Sequence, residues 1–242
     1  MSEMQYPTDL VPAGDASPRP FSEIPSLWLK VTQMTEAFFA GEAPRASQGN
    51  TLVSILVYAV ISAILTALSV FVGGGLEALS RLPEFGQQPE MGATYGAGLG
   101  STVLCFACVG LIAVPLSFYL NNGLNYLGAH VLGGTGSFGA QAYLMSLFVV
   151  PLGIVASLVS LVPFVGGCIS FFVGLYVIFL NVRLNKAVHQ LTTGRAIVAA
   201  LWPVALLFLI SCVTISILLL LGPVVGNVFS NIVQNLGTPT PQ

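Results

Sequence analysis

Charged side chains are scarce in this chain, and acidic side chains are missing from most of it. Only 7% of the 242 residues are charged, whereas a soluble domain carries about 25%. No Asp or Glu follows Glu90. General acid–base catalysis needs a positioned carboxylate or histidine, and proton relays through membranes are usually chains of Asp, Glu or His. The composition therefore predicts a membrane protein without catalytic residues, and it argues against an enzyme or a proton pump.

Three further absences narrow the class of protein. The net charge is −2 and no dense basic patch occurs, so we expect no nucleic-acid partner. The first 50 residues contain no apolar core after a basic start, so we expect no signal peptide. The four cysteines lie within or beside apolar runs, which is not the pattern of a secreted disulfide framework.

Two of these cysteines, Cys105 and Cys108, are one helical turn apart. A structural zinc site needs four ligands, and no histidine lies at a suitable spacing to complete one. We therefore predict no metal and no cofactor, and we expect these small side chains to let helices approach closely. A disulfide between Cys105 and Cys168 is the alternative.

Long apolar runs dominate the rest of the sequence, and the mean hydropathy is +0.89. About 20 apolar residues in a helix cross the roughly 30 Å hydrocarbon core of a bilayer. The runs predict an all-α polytopic membrane protein with a bundle of five transmembrane helices. We place these spans at about 51–72, 100–120, 142–162, 166–182 and 196–221, within a membrane domain over residues 50–221. Pro115, Pro151 and Pro203 lie inside spans, where we expect kinks.

The segments outside the spans differ in composition. Residues 1–25 are rich in proline and acids, which is typical of a disordered cytoplasmic tail. Residues 26–49 begin with apolar side chains on one helical face, including Trp28. This pattern predicts an N-terminal amphipathic helix in the membrane interface, with Trp28 at headgroup level. A helix packed on the loops of the bundle is the alternative. Residues 222–242 form a short C-terminal tail with the apolar spacing of a surface helix.

The basic residues predict the orientation of the chain. Five spans place the two termini on opposite sides of the membrane. With the N-terminus in the cytoplasm, only Arg81 lies outside, and the inside holds Arg19, Lys30, Arg45, Arg183, Lys186 and Arg195. Cytoplasmic loops carry an excess of Lys and Arg, so we predict that the N-terminus is inside and the C-terminus outside.

Polar residues at the ends of two spans form a candidate cytoplasmic pocket. The second span is followed by Asn121, Asn122 and Asn125, and the fourth by Asn181, Arg183, Asn185 and Lys186. Both groups should lie at the inner leaflet, and the i,i+4 asparagine pairs each present one face. We predict a pocket for a polar headgroup or a partner segment. The alternative is ordinary interfacial capping, with Arg183 and Lys186 as topology anchors.

A glycine-rich stretch, GGTGSFG at residues 133–139, precedes the third span. It matches the dinucleotide fingerprint only formally, because that motif requires a βαβ unit. Free N–H groups at a helix N-terminus favour an anion, so Gly134, Gly136 and Ser137 form a candidate anion site for a lipid phosphate. A plain loop with Ser137 or Thr135 as the helix N-cap is the favoured alternative.

Several short motifs occur in an order that resembles one family. GG-x-GSF precedes the third span, VPFVGG joins the third and fourth spans, and a basic flank leads to Arg195, Ala196 and Pro203. Over residues 28–221 this order resembles the Yip1 domain family of five-span membrane proteins. Eukaryotic members carry a DLYGP-like motif before the first span, and the stretch RASQGNTLVSI at residues 45–55 lacks it. The chain therefore looks like a prokaryotic-type member, which implies the bacterial cytoplasmic membrane.

These features favour a non-catalytic membrane protein that serves as a scaffold or accessory subunit of a larger membrane complex. Its expected partners are membrane lipids and either another membrane protein or further copies of itself. The alternative is a transporter or channel for a neutral or lipid-like substrate, because prolines interrupt the predicted helices of this chain and broken helices occur in transport folds. A trafficking adaptor that binds a small GTPase is a third possibility, implied by the family resemblance alone.

Overall fold

The computed structural model of the protein describes residues 17–80, 89–162 and 165–237. Two short helices, α1 (Ile24–Trp28) and α2 (Glu36–Glu42), precede five long helices. These are α3 (Gln48–Ser80), α4 (Pro89–Val131), α5 (Phe138–Val159), α6 (Val165–His189) and α7 (Thr193–Gly237). Each long helix contains a segment long and apolar enough to cross a membrane. No strand occurs among the described residues, and the predicted all-α fold with five candidate spans is confirmed.

Four of the long helices extend beyond the predicted spans at both ends, whereas α5 begins earlier than predicted and ends at Val159, before residue 162. α3 continues through the glycines at residues 73–75 to Ser80, and α7 runs through Pro203 and Pro223 to Gly237. The predicted tail at residues 222–242 is therefore helical as far as residue 237. In an apolar environment every backbone N–H and C=O needs a partner within the protein, which favours a helix that continues through these glycines and prolines.

Some sequence predictions concern residues outside those that the structure describes. They are the first 16 residues of the predicted tail, Arg81 in the predicted outer loop, Pro163 and Phe164 in the VPFVGG turn, and residues 238–242.

Helix α5 lies at the centre of the larger of two units. Residues up to Ala200 form this unit, and the remainder of α7 forms a second unit that is a single apolar helix. Within the first unit α5 contacts α3, α4 and α6. Half of the most apolar stretch of α5 is buried inside the protein, compared with 28% or less of the corresponding stretch in each of the other candidate spans. The core of this unit is therefore built around α5, with Tyr143, Leu144, Leu147 and Phe148 fully buried.

The N-terminal segment, residues 17–47, packs on this core. The structure divides the predicted interfacial helix into α1 and α2, and Thr35 caps α2 by accepting a hydrogen bond from the N–H of Phe38 at 3.3 Å. The apolar face of the segment is covered by protein, since Ile24, Leu27, Met34 and Phe39 are buried in the same cluster as residues of α5 and α6. Trp28 is partly buried against that cluster. An interfacial helix is therefore not confirmed, and the arrangement is closer to the alternative of packing on the bundle.

A close backbone approach occurs where α6 begins. The N–H of Gly166 donates to the carbonyl O of Val162 at 2.9 Å. A Cβ atom added to Gly166 would lie 2.7 Å from the carbonyl O of Val159 and 2.7 Å from the Cα of Ser160. A Cβ atom added to the adjacent Gly167 would meet no atom within 4 Å. Only the first of these neighbouring glycines is therefore required for packing.

We expect Gly166→Ala to lower the free energy of unfolding by about 1–3 kcal/mol, the usual cost of overpacking. Gly167→Ala is the matched control, and it should be neutral or slightly stabilising because alanine is the better helix former. Thermal unfolding in detergent, followed by size-exclusion chromatography, measures both variants. Equal melting temperatures for the two variants would contradict the close approach at Gly166.

Candidate functional site

The carboxylate of Glu42, at the end of α2, is buried with only 4% of the residue exposed. The Arg19 guanidinium holds both of its oxygens, with Nε donating to Oε1 at 2.5 Å and Nη2 donating to Oε2 at 3.1 Å. The hydroxyl of Tyr143 in α5 also donates to Oε1, at 3.2 Å. A buried carboxylate is costly unless it is paired and hydrogen-bonded. Glu42 meets both conditions, so it joins the start of the N-terminal segment to the central helix.

Arg19 also makes several contacts of its own. Its hydrogen bond to Glu42 is the main reason why the pKa of the Arg19 guanidinium is raised above its usual range. The carbonyl O of Arg19 accepts a hydrogen bond from Asn50 Nδ2 at 2.7 Å, near the start of α3. Arg19 therefore ties the beginning of the described chain to α2 and α3 together.

Residues of α6 supply a second set of contacts to the N-terminal segment. Lys186 Nζ donates to Glu36 Oε1 at 2.6 Å, and Arg183 Nη1 donates to the carbonyl O of Met34 at 3.1 Å. The Arg183 guanidinium also lies over the ring of Phe179, 4.3 Å from its centroid. Arg183 and Lys186, which the sequence placed in the candidate pocket, thus contact the segment. We refer to these contacts and those of Glu42 as the docking contacts.

Three asparagines of the candidate pocket belong to a separate group of buried residues, which we call the polar centre. It consists of Asn122 and Asn125 from α4, Gln141 from α5, and Asn185 and His189 from α6. None of these five residues is more than 2% exposed. Gln141 Nε2 donates to Asn122 Oδ1 at 2.9 Å and to the carbonyl O of Asn122 at 3.0 Å. Asn185 Nδ2 lies 3.5 Å from Asn125 Oδ1, so the centre connects three helices.

The hydrogen bonds of Gln141 fix the protonation of His189. Gln141 directs its amide nitrogen to Asn122, so its Oε1 atom faces His189 and can only accept. His189 Nε2 lies 2.6 Å from that oxygen and must therefore carry the proton. In the neutral ring, His189 Nδ1 is then a hydrogen-bond acceptor.

Three side-chain atoms of the polar centre have no hydrogen-bond partner among the described residues. They are Asn122 Nδ2, Asn185 Oδ1 and His189 Nδ1. A buried polar group without a partner costs about 1–3 kcal/mol. The polar centre therefore combines strong internal contacts with unused hydrogen-bonding capacity.

The remaining residues of the candidate pocket lie at its edge or make local bonds. Asn121 is half-buried, and its Oδ1 lies 3.5 Å from Asn125 Nδ2. Asn181 is buried, and its Nδ2 donates to the carbonyl O of Val177 in its own helix at 3.2 Å. The structure thus brings Asn121, Asn122, Asn125 and Asn185 together, while Asn181 bonds within its own helix.

The glycine-rich loop before α5 packs on the end of α6. Cβ atoms added to Gly134 and Gly136 would lie 2.8 Å from the carbonyl O of Ala129 and 2.6 Å from that of Val188, respectively. The N–H of Gly134 donates to the carbonyl O of Ala129 at 2.9 Å. Ser137 is the N-cap of α5, as the favoured alternative predicted, and its hydroxyl accepts from the N–H of Ala140 at 3.2 Å. At Gly134 and Ser137, the polar groups proposed for an anion thus have partners within the protein.

Sequence reasoning missed three residues that the structure places at these sites. Gln141 belongs to the polar centre, and Glu42 and Tyr143 belong to the docking contacts. A glutamine at the start of an apolar span is a signal that could have drawn attention to Gln141. Nothing in the sequence separates the buried Glu42 from the other glutamates of the N-terminal region.

The four cysteines form no disulfide, and this includes Cys105 and Cys168, whose pairing was the alternative. All four are free and exposed. No group of three or more His, Cys, Asp or Glu residues that could hold a metal ion occurs in the described part of the chain.

Five apolar helices define this chain as an integral, multi-pass membrane protein. Comparison with models of protein families, with curated proteins and with solved structures finds no match to the chain.

Removing the buried carboxylate should loosen the N-terminal segment. We expect Glu42→Ala to cost about 1.5–3 kcal/mol, the range for hydrogen bonds to charged groups. Helices as short as α1 and α2 are not stable alone in water, so hydrogen–deuterium exchange should rise across residues 20–46.

The matched control is Glu23→Ala, because Glu23 also pairs with Arg19 at 2.8 Å but its side chain is 50% exposed. An exposed ion pair contributes only about 0–1 kcal/mol, so exchange in this variant should stay near that of the wild type. The same exchange pattern in both variants would show that burial of Glu42 does not hold the segment.

Proposed function

We propose that this chain is a non-catalytic scaffold or accessory subunit of a larger membrane complex. The observation that carries the proposal is that charged side chains at one end of the bundle hold the N-terminal segment in place. Arg183 and Lys186 of α6 bond to the N-terminal segment, and Glu42, which pairs with Arg19 within the segment, bonds to Tyr143 of α5. Catalysis needs charged or nucleophilic groups directed at a substrate, whereas these groups build a folded platform beside the membrane. A platform of this kind suits the binding of a partner protein.

The proposed orientation places this platform in the cytoplasm. The docking contacts gather Arg19, Arg183 and Lys186 at one end of the bundle, and Arg45 lies 4.0 Å from the same Glu42 carboxylate. Arg195 belongs to this end as well, since its Nη1 donates to the carbonyl O of Leu132 at 3.3 Å. An excess of basic residues marks the cytoplasmic side. This supports an N-terminus inside and a C-terminus outside, in the cytoplasmic membrane of a bacterium.

Membership of the Yip1 domain family, as a prokaryotic-type member, remains part of the proposal. The resemblance of the motifs around the third and fourth spans supports it, and a bundle of five apolar helices is compatible with it. A role as an adaptor for a small GTPase depends on that resemblance alone.

A second candidate function is the passage of a small neutral substrate through the membrane. The polar centre favours it, because five uncharged polar side chains are buried at the meeting of α4, α5 and α6. Buried polar residues in membrane helices commonly mark substrate paths. Pro115 and Pro151 lie inside two of the three helices that form this centre.

Purification from the native membrane in mild detergent separates these two functions. If the scaffold function is correct, a protein partner should co-purify at a fixed stoichiometry with the wild-type chain. Glu42→Ala should reduce recovery of that partner several-fold because it loosens the platform, and Glu23→Ala should not.

Reconstitution into liposomes completes the comparison. Glycerol flux without a protein partner would favour the transport function over the scaffold. A monodisperse protein with neither partner nor flux would contradict both.

A triple variant tests the candidate pocket separately. Replacing Asn121, Asn125 and Asn185 together by alanine should abolish lipid or partner co-purification. Unchanged co-purification would exclude that pocket.

A further inference from the structure

The unpaired atoms of the polar centre differ in what they require from a ligand. Asn122 Nδ2 is a donor, and its assignment follows from the hydrogen bond that Asn122 Oδ1 accepts from Gln141. Asn185 Oδ1 and His189 Nδ1 are acceptors. A molecule that satisfies all three atoms must therefore both accept and donate hydrogen bonds.

The charge around the polar centre restricts the ligand further. None of its five residues carries a formal charge when His189 is neutral. The nearest basic residues along α6, Arg183 and Lys186, direct their charged groups to Met34 and Glu36 of the N-terminal segment. Because neither of these two cations faces the polar centre, they would not balance an anion buried in it, and unpaired buried ions are strongly disfavoured. These contacts favour an uncharged ligand.

Hydrogen bonds and close contacts connect the residues that carry the unpaired atoms. Asn122 and His189 bond to opposite ends of the Gln141 side chain. Asn185 lies one turn before His189 in α6, and it contacts Asn125, which lies one turn after Asn122 in α4. The unused donor and acceptors thus belong to a single connected group of side chains.

We infer that the polar centre is a binding site for a small uncharged ligand that offers O–H groups, either water or the hydroxyls of a lipid headgroup. Water has two O–H donors and a diol headgroup has two hydroxyls, so either can supply one donor to Asn185 Oδ1, one to His189 Nδ1, and an oxygen that accepts from Asn122 Nδ2. The five residues of the polar centre do not balance the charge of a phosphate or an ammonium group when His189 is neutral, which disfavours both groups. This inference does not depend on the proposed scaffold function, since the docking contacts involve other residues.

Magic-angle-spinning NMR of the protein in lipid bilayers tests this inference. The chain has two histidines, so ¹⁵N-histidine labelling gives two ring systems, and a His130→Asn variant leaves that of His189 alone. In phosphatidylcholine bilayers, whose headgroup has no hydroxyl, magnetisation transfer from water protons to His189 Nδ1 would identify water as the ligand. In bilayers of phosphatidylglycerol with ¹³C-labelled headgroup glycerol, transfer between that carbon and His189 would identify a lipid hydroxyl. Transfer from neither source would overturn the inference.

A pair of variants ties the signal to the unpaired atoms. Asn122→Leu and Asn185→Leu remove one donor and one acceptor, and each should reduce the transfer to His189 several-fold. Asn181→Leu is the matched control. Asn181 lies on α6, as Asn185 does, and is also buried, but its side chain bonds to the carbonyl O of Val177 in its own helix. Equal transfer in the three variants would also contradict the site. If a leucine variant does not fold, the wild-type measurement still decides.

Discussion

The buried carboxylate of Glu42 is the interaction on which the arrangement of the first unit depends. A carboxylate with 4% exposure must be paired, and its partners come from distant parts of the chain. Arg19 lies at the start of the described residues, 23 positions before Glu42, and Tyr143 lies 101 positions after Glu42. The N-terminal segment therefore occupies one place on the bundle, and its apolar residues complete the core. The bonds of Arg183 and Lys186 to the same segment extend this attachment to α6.

Helix α5 connects the docking contacts to the polar centre. Tyr143 bonds to Glu42, and Gln141, two positions earlier, bonds to Asn122 and His189. Positions i and i+2 are separated by about 200° around a helix, so the two side chains leave α5 on opposite sides. One side holds the N-terminal segment, and the other joins α4 and α6. Helix α5 thus contributes one residue to each of the two groups.

The sequence predicted the class of fold well and the sites only in part. Five helices follow from apolar runs of sufficient length, because the bilayer sets that length. The sequence grouped Asn122, Asn125 and Asn185 because two predicted spans end in asparagines, and the structure buries all three in the polar centre. Arg183 and Lys186 were grouped with these asparagines, but they contact the N-terminal segment instead. The sequence could not show this, because the periodicity of a helix does not reveal which neighbour covers each of its faces. For the same reason, the one-sided pattern of residues 26–40 suggested lipid contact where the structure has protein.

A double-mutant cycle between Glu42 and Tyr143 tests most directly whether the buried carboxylate fastens the segment to the bundle. The variants are Glu42→Gln, Tyr143→Phe and the double substitution, and the free energy of unfolding is measured by reversible denaturation in mixed micelles. Residues in direct contact show coupling energies of about 0.5–3 kcal/mol, and this account predicts a value in that range. Additivity within about 0.3 kcal/mol would contradict it, because the segment would then be held by other contacts.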